Sequence, residues 1–177
     1  MRAIGALLVL GVLCGADVSP LRDEPEPYPY VTTSPGRGCY FKLVPESENR
    51  GSGRAYRVTA AEADELLWSV SGWFTWETYL SRDGRYLVRL EDAADPKLMA
   101  AFYDSGKLLA EYRIEDLIEQ PDKVPVLSHG SLLFFRQGAH APQFTAAERF
   151  TFTTAELVEY TFDIRTGEVV KQESYRK

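Results

Sequence analysis

Few side chains in this chain are placed to do chemistry. Glu77 lies between Trp76 and Thr78 in an aromatic run, where burial would raise its carboxyl pKa and suit it to general-acid work. Its plainer reading is the solvent-facing member of an alternating strand. His129 follows Ser128 in loop-like sequence and, with a nearby carboxylate, would serve a hydrolase; a loop histidine before an apolar strand more often caps or packs. Trp73, Trp76 and Tyr79 crowd a short segment with Trp68 and Phe74. Alternation puts Trp73 on the face opposite Trp76. If one face is core and the other open, Trp73 and Tyr79 would stack on a sugar or a peptide. The candidate binding set is therefore Trp73, Trp76, Tyr79, Glu77 and His129. No residue is assigned a catalytic role.

Other chemistries lack their residues. The chain has two histidines, His129 and His140, and two cysteines, Cys14 and Cys39, short of a four-ligand structural zinc site once Cys14 is lost with a leader. No metal and no cofactor is expected. Neither a P-loop, a G-x-G-x-x-G, a C-x-x-C nor a G-x-S-x-G occurs. Asp83, Asp92, Asp95, Asp104, Glu115 and Asp116 sit mostly at turns, where Asp caps the backbone.

These residues hang on period-two patterning. From Trp76 to Ile118 the sequence reads as four strands joined by two tight turns, Arg82-Asp83-Gly84 and Asp104-Ser105-Gly106, and one longer loop. Tyr86, Val88 and Leu90 share one face; Arg85 and Arg89 share the other, with Leu87 between them. Further strands are expected at 39–44, 55–58, 66–70, 73–80, 131–136, 149–153, 157–164 and 168–174. Ile114 to Glu119 loses the alternation ahead of Pro121 and reads as one short helical turn. Thr59–Glu62 and Thr145–Glu148 fit capping boxes, leaving a helical turn at 60–64 open against a plain loop. The fold class is all-β, an antiparallel meander of about eleven strands: a sandwich, an open barrel or a propeller fragment. A closed propeller of even four blades needs about sixteen strands. Phe102–Leu109 and Phe162–Val170 echo one another as strand, x-Gly turn, strand.

The first residues read as an export leader. Arg2 precedes an apolar run from Ile4 to Leu13, and Cys14-Gly15-Ala16 offers a cleavage site, giving a signal peptide over 1–16. Lipidation at Cys14 is disfavoured because Leu13 stands where a small residue belongs. Residues 17–37 carry five prolines and read as an extended linker, and 38–177 as a single β domain. Cys39 is then alone and reads as a buried strand residue. The formal charge is −6, and cleavage would remove a further cation, so nothing here attracts nucleic acid. At 45% hydrophobic and 12% aromatic, the composition supports a packed core.

Ser71-Gly72-Trp73-Phe74, Tyr79-Leu80-Ser81-Arg82-Asp83-Gly84 and Gln120-Pro121-Asp122-Lys123-Val124 followed by Ser128-His129 resemble an uncharacterised family of secreted bacterial all-β proteins. The hairpins also resemble propeller-blade hairpins. The resemblance implies secretion and a β-meander and brings no activity with it. The expectation is a non-catalytic secreted or periplasmic binding or interaction module, its partner a protein or a carbohydrate, without a membrane span. The alternatives are a secreted hydrolase using His129 with a nearby carboxylate, and an assembly component pairing through a sheet edge. Oligomeric state is not legible.

Overall fold

The computed structural model describes residues 26–92, 94–121, 140–145 and 148–176. The expected leader over 1–16, the lipidation residue Cys14, Ser128, His129 and the strand expected at 131–136 lie outside the described residues. Within them are twelve strands and one short helix in three four-stranded antiparallel sheets, each running in chain order. Sheet one holds β1 (Tyr30–Thr33), β2 (Cys39–Ser47), β3 (Arg50–Arg57) and β4 (Glu65–Ser71). Sheet two holds β5 (Glu77–Leu80), β6 (Tyr86–Leu90), β7 (Leu98–Asp104) and β8 (Lys107–Arg113), followed by α1 (Ile114–Leu117). Sheet three holds β9 (Gln143–Thr145), β10 (Arg149–Thr153), β11 (Val158–Asp163) and β12 (Val169–Ser174). The four-strand meander read from Trp76 to Ile118 is sheet two, with its helical turn. No closed barrel is formed by the described strands.

Sheet two is the middle layer, and its alternation serves two cores at once. Tyr86, Val88, Leu90 and Phe102 pack against Phe150, Phe152, Tyr160 and Phe162 of sheet three. Leu87, Ala101 and Tyr103 turn the other way, against Phe41, Leu43, Ala55 and Trp68 of sheet one. A strand buried on both faces reads as a continuous apolar run, and all five residues of β6 are buried. α1 closes the second core with Ile114 and Leu117. Asp116 accepts from the Arg113 N–H at 2.7 Å to start it, and the Tyr160 hydroxyl donates to the Leu117 carbonyl at 2.8 Å.

Several expectations shift. β1 lies inside the stretch read as linker: Tyr30–Thr33 pairs with Leu43–Tyr40, and the Tyr30 hydroxyl donates to the Thr75 carbonyl at 3.0 Å. Proline on both sides hid a strand that pairs along one edge only. β9, read as loop, is a second short edge strand. The strand expected from Trp73 begins only at Glu77. Gly72 at φ +96° turns the chain, and Thr75 Oγ1 donates to the Leu90 carbonyl at 2.5 Å. Residues 59–64 form a loop, with Thr59 Oγ1 donating to the Ala63 carbonyl at 3.0 Å. At the other proposed box Glu148 is left-handed, at φ 57°.

The glycine turns join the sheets as well as reversing the chain. The β7–β8 turn rests on β4: a Cβ at Gly106 would stand 2.6 Å from the Ser69 carbonyl oxygen. The β11–β12 turn rests on sheet two, where a Cβ at Gly167 would stand 2.7 Å from that of Ala110. Tyr112 donates to the Gly167 carbonyl at 2.8 Å. The echo between Phe102–Leu109 and Phe162–Val170 is thus positional: in each, the third-to-fourth-strand hairpin seats on the preceding sheet's outer strand. Gly167 also needs φ +77°, which L residues rarely adopt. Gly72 has a comparable φ, with nothing within 4 Å of a Cβ placed there. Gly167→Ala should therefore cost about 1–3 kcal/mol more than Gly72→Ala, the difference being overpacking alone. Urea denaturation of the two variants measures it, and equal losses would remove the seating role.

Candidate functional site

The nominated residues divide between core and surface. Trp73 is 8% exposed and belongs to the core between sheets one and two, 6.3 Å from Phe41 and 5.7 Å from Tyr103 between ring centroids. It does not share an open face with Tyr79. Trp76 is half-buried, edge-on to Phe74 at 5.0 Å and tilted against Tyr28 at 5.4 Å. Glu77 and Tyr79 do come together: both are half-buried on one face of β5, and the Tyr79 hydroxyl donates to the Glu77 carboxylate. The Tyr79 ring meets Phe150 edge-on at 5.1 Å, and burial pushes its phenol up to about 12. It is a hydrogen-bond donor at any ordinary pH.

Two functional-looking groups were invisible to patterning. Arg89, placed by alternation on the face it shares with Arg85 and Leu87, is 5% exposed. Its guanidinium sits 4.7 Å from the Trp73 ring centre and 5.8 Å from that of Tyr103, and bonds Asp92 at 2.5 Å. Leu87, two residues earlier on the same face, was the available sign that this face is covered. Removing one partner of the buried Arg89–Asp92 pair costs about 3–5 kcal/mol, and Trp73 packs on the same guanidinium. The other group is Glu91. It follows Leu90, the register partner of Glu77, and takes a left-handed φ of 61°. Burial pushes its carboxyl up to about 8. No sequence signal marks it, because nothing in the strand pattern announces that φ.

At the other end of β5 lies a cleft of about 640 Å³ to which all three sheets contribute. Pro35 enters from the β1–β2 turn, Asp83 from the β5–β6 turn, Tyr86 from β6, Phe144 from β9, Glu148 from the β9–β10 turn and Ile164 from the β11–β12 turn. Tyr86, Phe144 and Ile164 give apolar surface; Asp83 and Glu148 give polar rim. The Asp83 turn is held rigidly. Ser81 Oγ donates to its carboxylate at 2.6 Å and accepts from the Tyr86 N–H at 2.8 Å, and the Arg85 N–H donates to Asp83 at 3.1 Å. Glu148 faces Arg165 at 3.5 Å. Ligand sites typically enclose about 300–1,000 Å³, and this cleft is of that size, with Ser81, Arg82 and Thr145 joining Asp83 and Glu148 on its polar side. Cys39 is buried, and burial pushes its thiol up, away from reactivity.

No family model matches the chain, and no curated protein matches it. Among solved structures, BamB from Moraxella catarrhalis aligns with a TM-score of 0.45 at 14% identity, over 81% of this chain and 35% of that one. The chain thus spans about a third of that protein's length. No helix among the described residues is long and apolar enough to cross a membrane.

Glu91 gives a pH signature. Its folded pKa lies above the unfolded value, so the folded state holds a proton that the unfolded chain releases near 4.5. Stability should fall as pH rises from about 4.5 to about 8, then level off. Glu91→Gln should flatten that slope, matching the parent at pH 4.5. Above pH 8 the variant should exceed it by about 1–3 kcal/mol, a figure discounted for partial exposure. Urea titrations at the two pH values measure the difference.

Proposed function

We propose that this chain is a non-catalytic binding or interaction module working outside the cytoplasm, secreted or periplasmic, with its ligand held in the cleft at the turn end of the three sheets. The observation that supports this reading is the convergence there of Asp83, Tyr86, Phe144, Glu148 and Ile164 from sheets two and three, with Pro35 from sheet one. A site assembled from several rigid meanders is preorganised, which lowers the entropic cost of capture. Trp76, with its partly open ring, and the Glu77–Tyr79 pair belong to the same proposal as a second contact zone at the far end of β5. Arrays of peptides and glycans probed with the full chain test the reading. Binding should fall by about tenfold or more in Phe144→Ala and in Glu148→Gln. Undiminished binding by both variants, or turnover of an arrayed substrate, would overturn it.

A sheet-edge role has its own observation. β4 and β8 each carry the following sheet's hairpin turn, whereas β12 carries none among the described residues and exposes Val169 at 38% and Val170 at 49%. A bare apolar edge recruits another strand. Light scattering should then report dimers at high concentration that Val170→Lys dissolves, and a strict monomer refutes self-pairing.

A further inference from the structure

Sheet one packs on sheet two with one face only. The other face is set by alternation: Tyr40, Lys42 and Val44 on β2, Ser52, Arg54 and Tyr56 on β3, Val31 on β1 and Leu66 on β4. Val31 and Leu66 are 53% and 54% exposed. Lys42 and Arg54 are direct cross-strand partners, both exposed. Like charges set opposite one another destabilise a sheet unless something lies between them. Neither side chain has a hydrogen bond or an ion pair among the described residues. Arg37, Arg50, Arg82 and Lys107 share that state, whereas Arg57, Arg85, Arg89, Arg113, Arg149, Arg165 and Arg176 are paired with carboxylates; among the described cations without such a partner, Lys42 and Arg54 are the two that face each other across a strand pair. The nearest acids of the sheet lie at its ends. Asp64 is engaged by the Tyr40 hydroxyl at 2.9 Å, and Glu46 sits in the bulge of β2. A shallow groove of about 280 Å³ runs over Lys42, Val44, Ser52, Arg54 and Tyr56.

We propose that this face docks an extended acidic peptide segment of a protein partner, a carboxylate seated between Lys42 and Arg54 and an apolar side chain against Val44 and Tyr56. A chain of net charge −6 that keeps two adjacent cations unneutralised holds a local anion site against its own field. The site's features select a peptide. Tyr40 and Tyr56 stack on each other, 5.1 Å apart and 20° from parallel, so their inner faces are occupied and they form a ridge instead of a platform for a sugar ring or a base. Two adjacent cations suit one carboxylate seated between them, whereas a nucleic acid strand carries a phosphate at every step and would run on over an acidic surface.

The proposal rests on the interaction-module reading but uses a surface apart from the cleft, so the two fail separately. Fluorescence anisotropy of a labelled alternating Glu-Leu decapeptide against the full chain is the test, with oligothymidine, a polyuronate and phosphatidylserine vesicles as parallel arms. The peptide should bind, weaken with added salt, and lose about tenfold or more in affinity in Lys42→Glu/Arg54→Glu. Lys107→Glu, the same charge reversal on the exposed β7–β8 hairpin, should leave it unchanged. Lys42→Glu alone should raise the unfolding midpoint, since it replaces repulsion by a cross-strand ion pair. Peptide affinity within about twofold of the parent in the double variant would overturn the proposal. So would tighter binding of the oligonucleotide, polyuronate or vesicles with the same charge dependence.

Discussion

Burial of sheet two on both faces is the constraint from which the rest follows. A sheet covered on one side tolerates polar residues at every second position. β6 and β7 have no such freedom, and Leu87 and Val88 are both fully buried. Each fully buried apolar side chain of that size contributes roughly 1.5–3 kcal/mol. The two flanking sheets therefore draw their stability from the same short strands. The charged side chain buried in this layer among the described residues, Arg89, is accommodated by aromatic faces and by Asp92, which is itself nearly closed to solvent at 9%. A guanidinium is more weakly hydrated than an ammonium and stacks on rings, which suits it to such a position where lysine would not serve.

That constraint also explains which surfaces are left for binding. Sheets one and three each spend one face on the middle layer. Among the surfaces left open are the turn ends, where three meanders meet around Tyr86 and Phe144, and the outward face of sheet one around Lys42 and Arg54. The aromatic cluster around Trp73 is largely unavailable, because its rings are the packing between sheets one and two. Aromatic density in the sequence marked the place where two sheets meet.

The fold was more legible than the site, for a physical reason. Strands of five or more residues such as β6, β8, β10 and β11 carry a repeating pattern, and turns such as Arg82-Asp83-Gly84 carry residue chemistry, so both are written locally. β1 and β9 are short and pair along one edge, so Tyr30–Thr33 and Gln143–Thr145 show too few alternations to stand out from proline-rich surroundings. Site residues depend on non-local facts. Whether Arg89 faces water depends on sheet one arriving over it. The Glu91 carboxyl depends on a backbone angle, and the cleft on turns far apart in the chain. The pairing of Glu77 with Tyr79 was accessible, because residues two apart on a strand share a face.

The seating of Gly106 on β4 and of Gly167 on sheet two gives the architecture a direction in time. Each later hairpin finds its platform in chain already synthesised, never in chain still to come. Synthesis from the amino end therefore brings sheets two and three out beside a partner already made, which suits stepwise assembly in the order of translation.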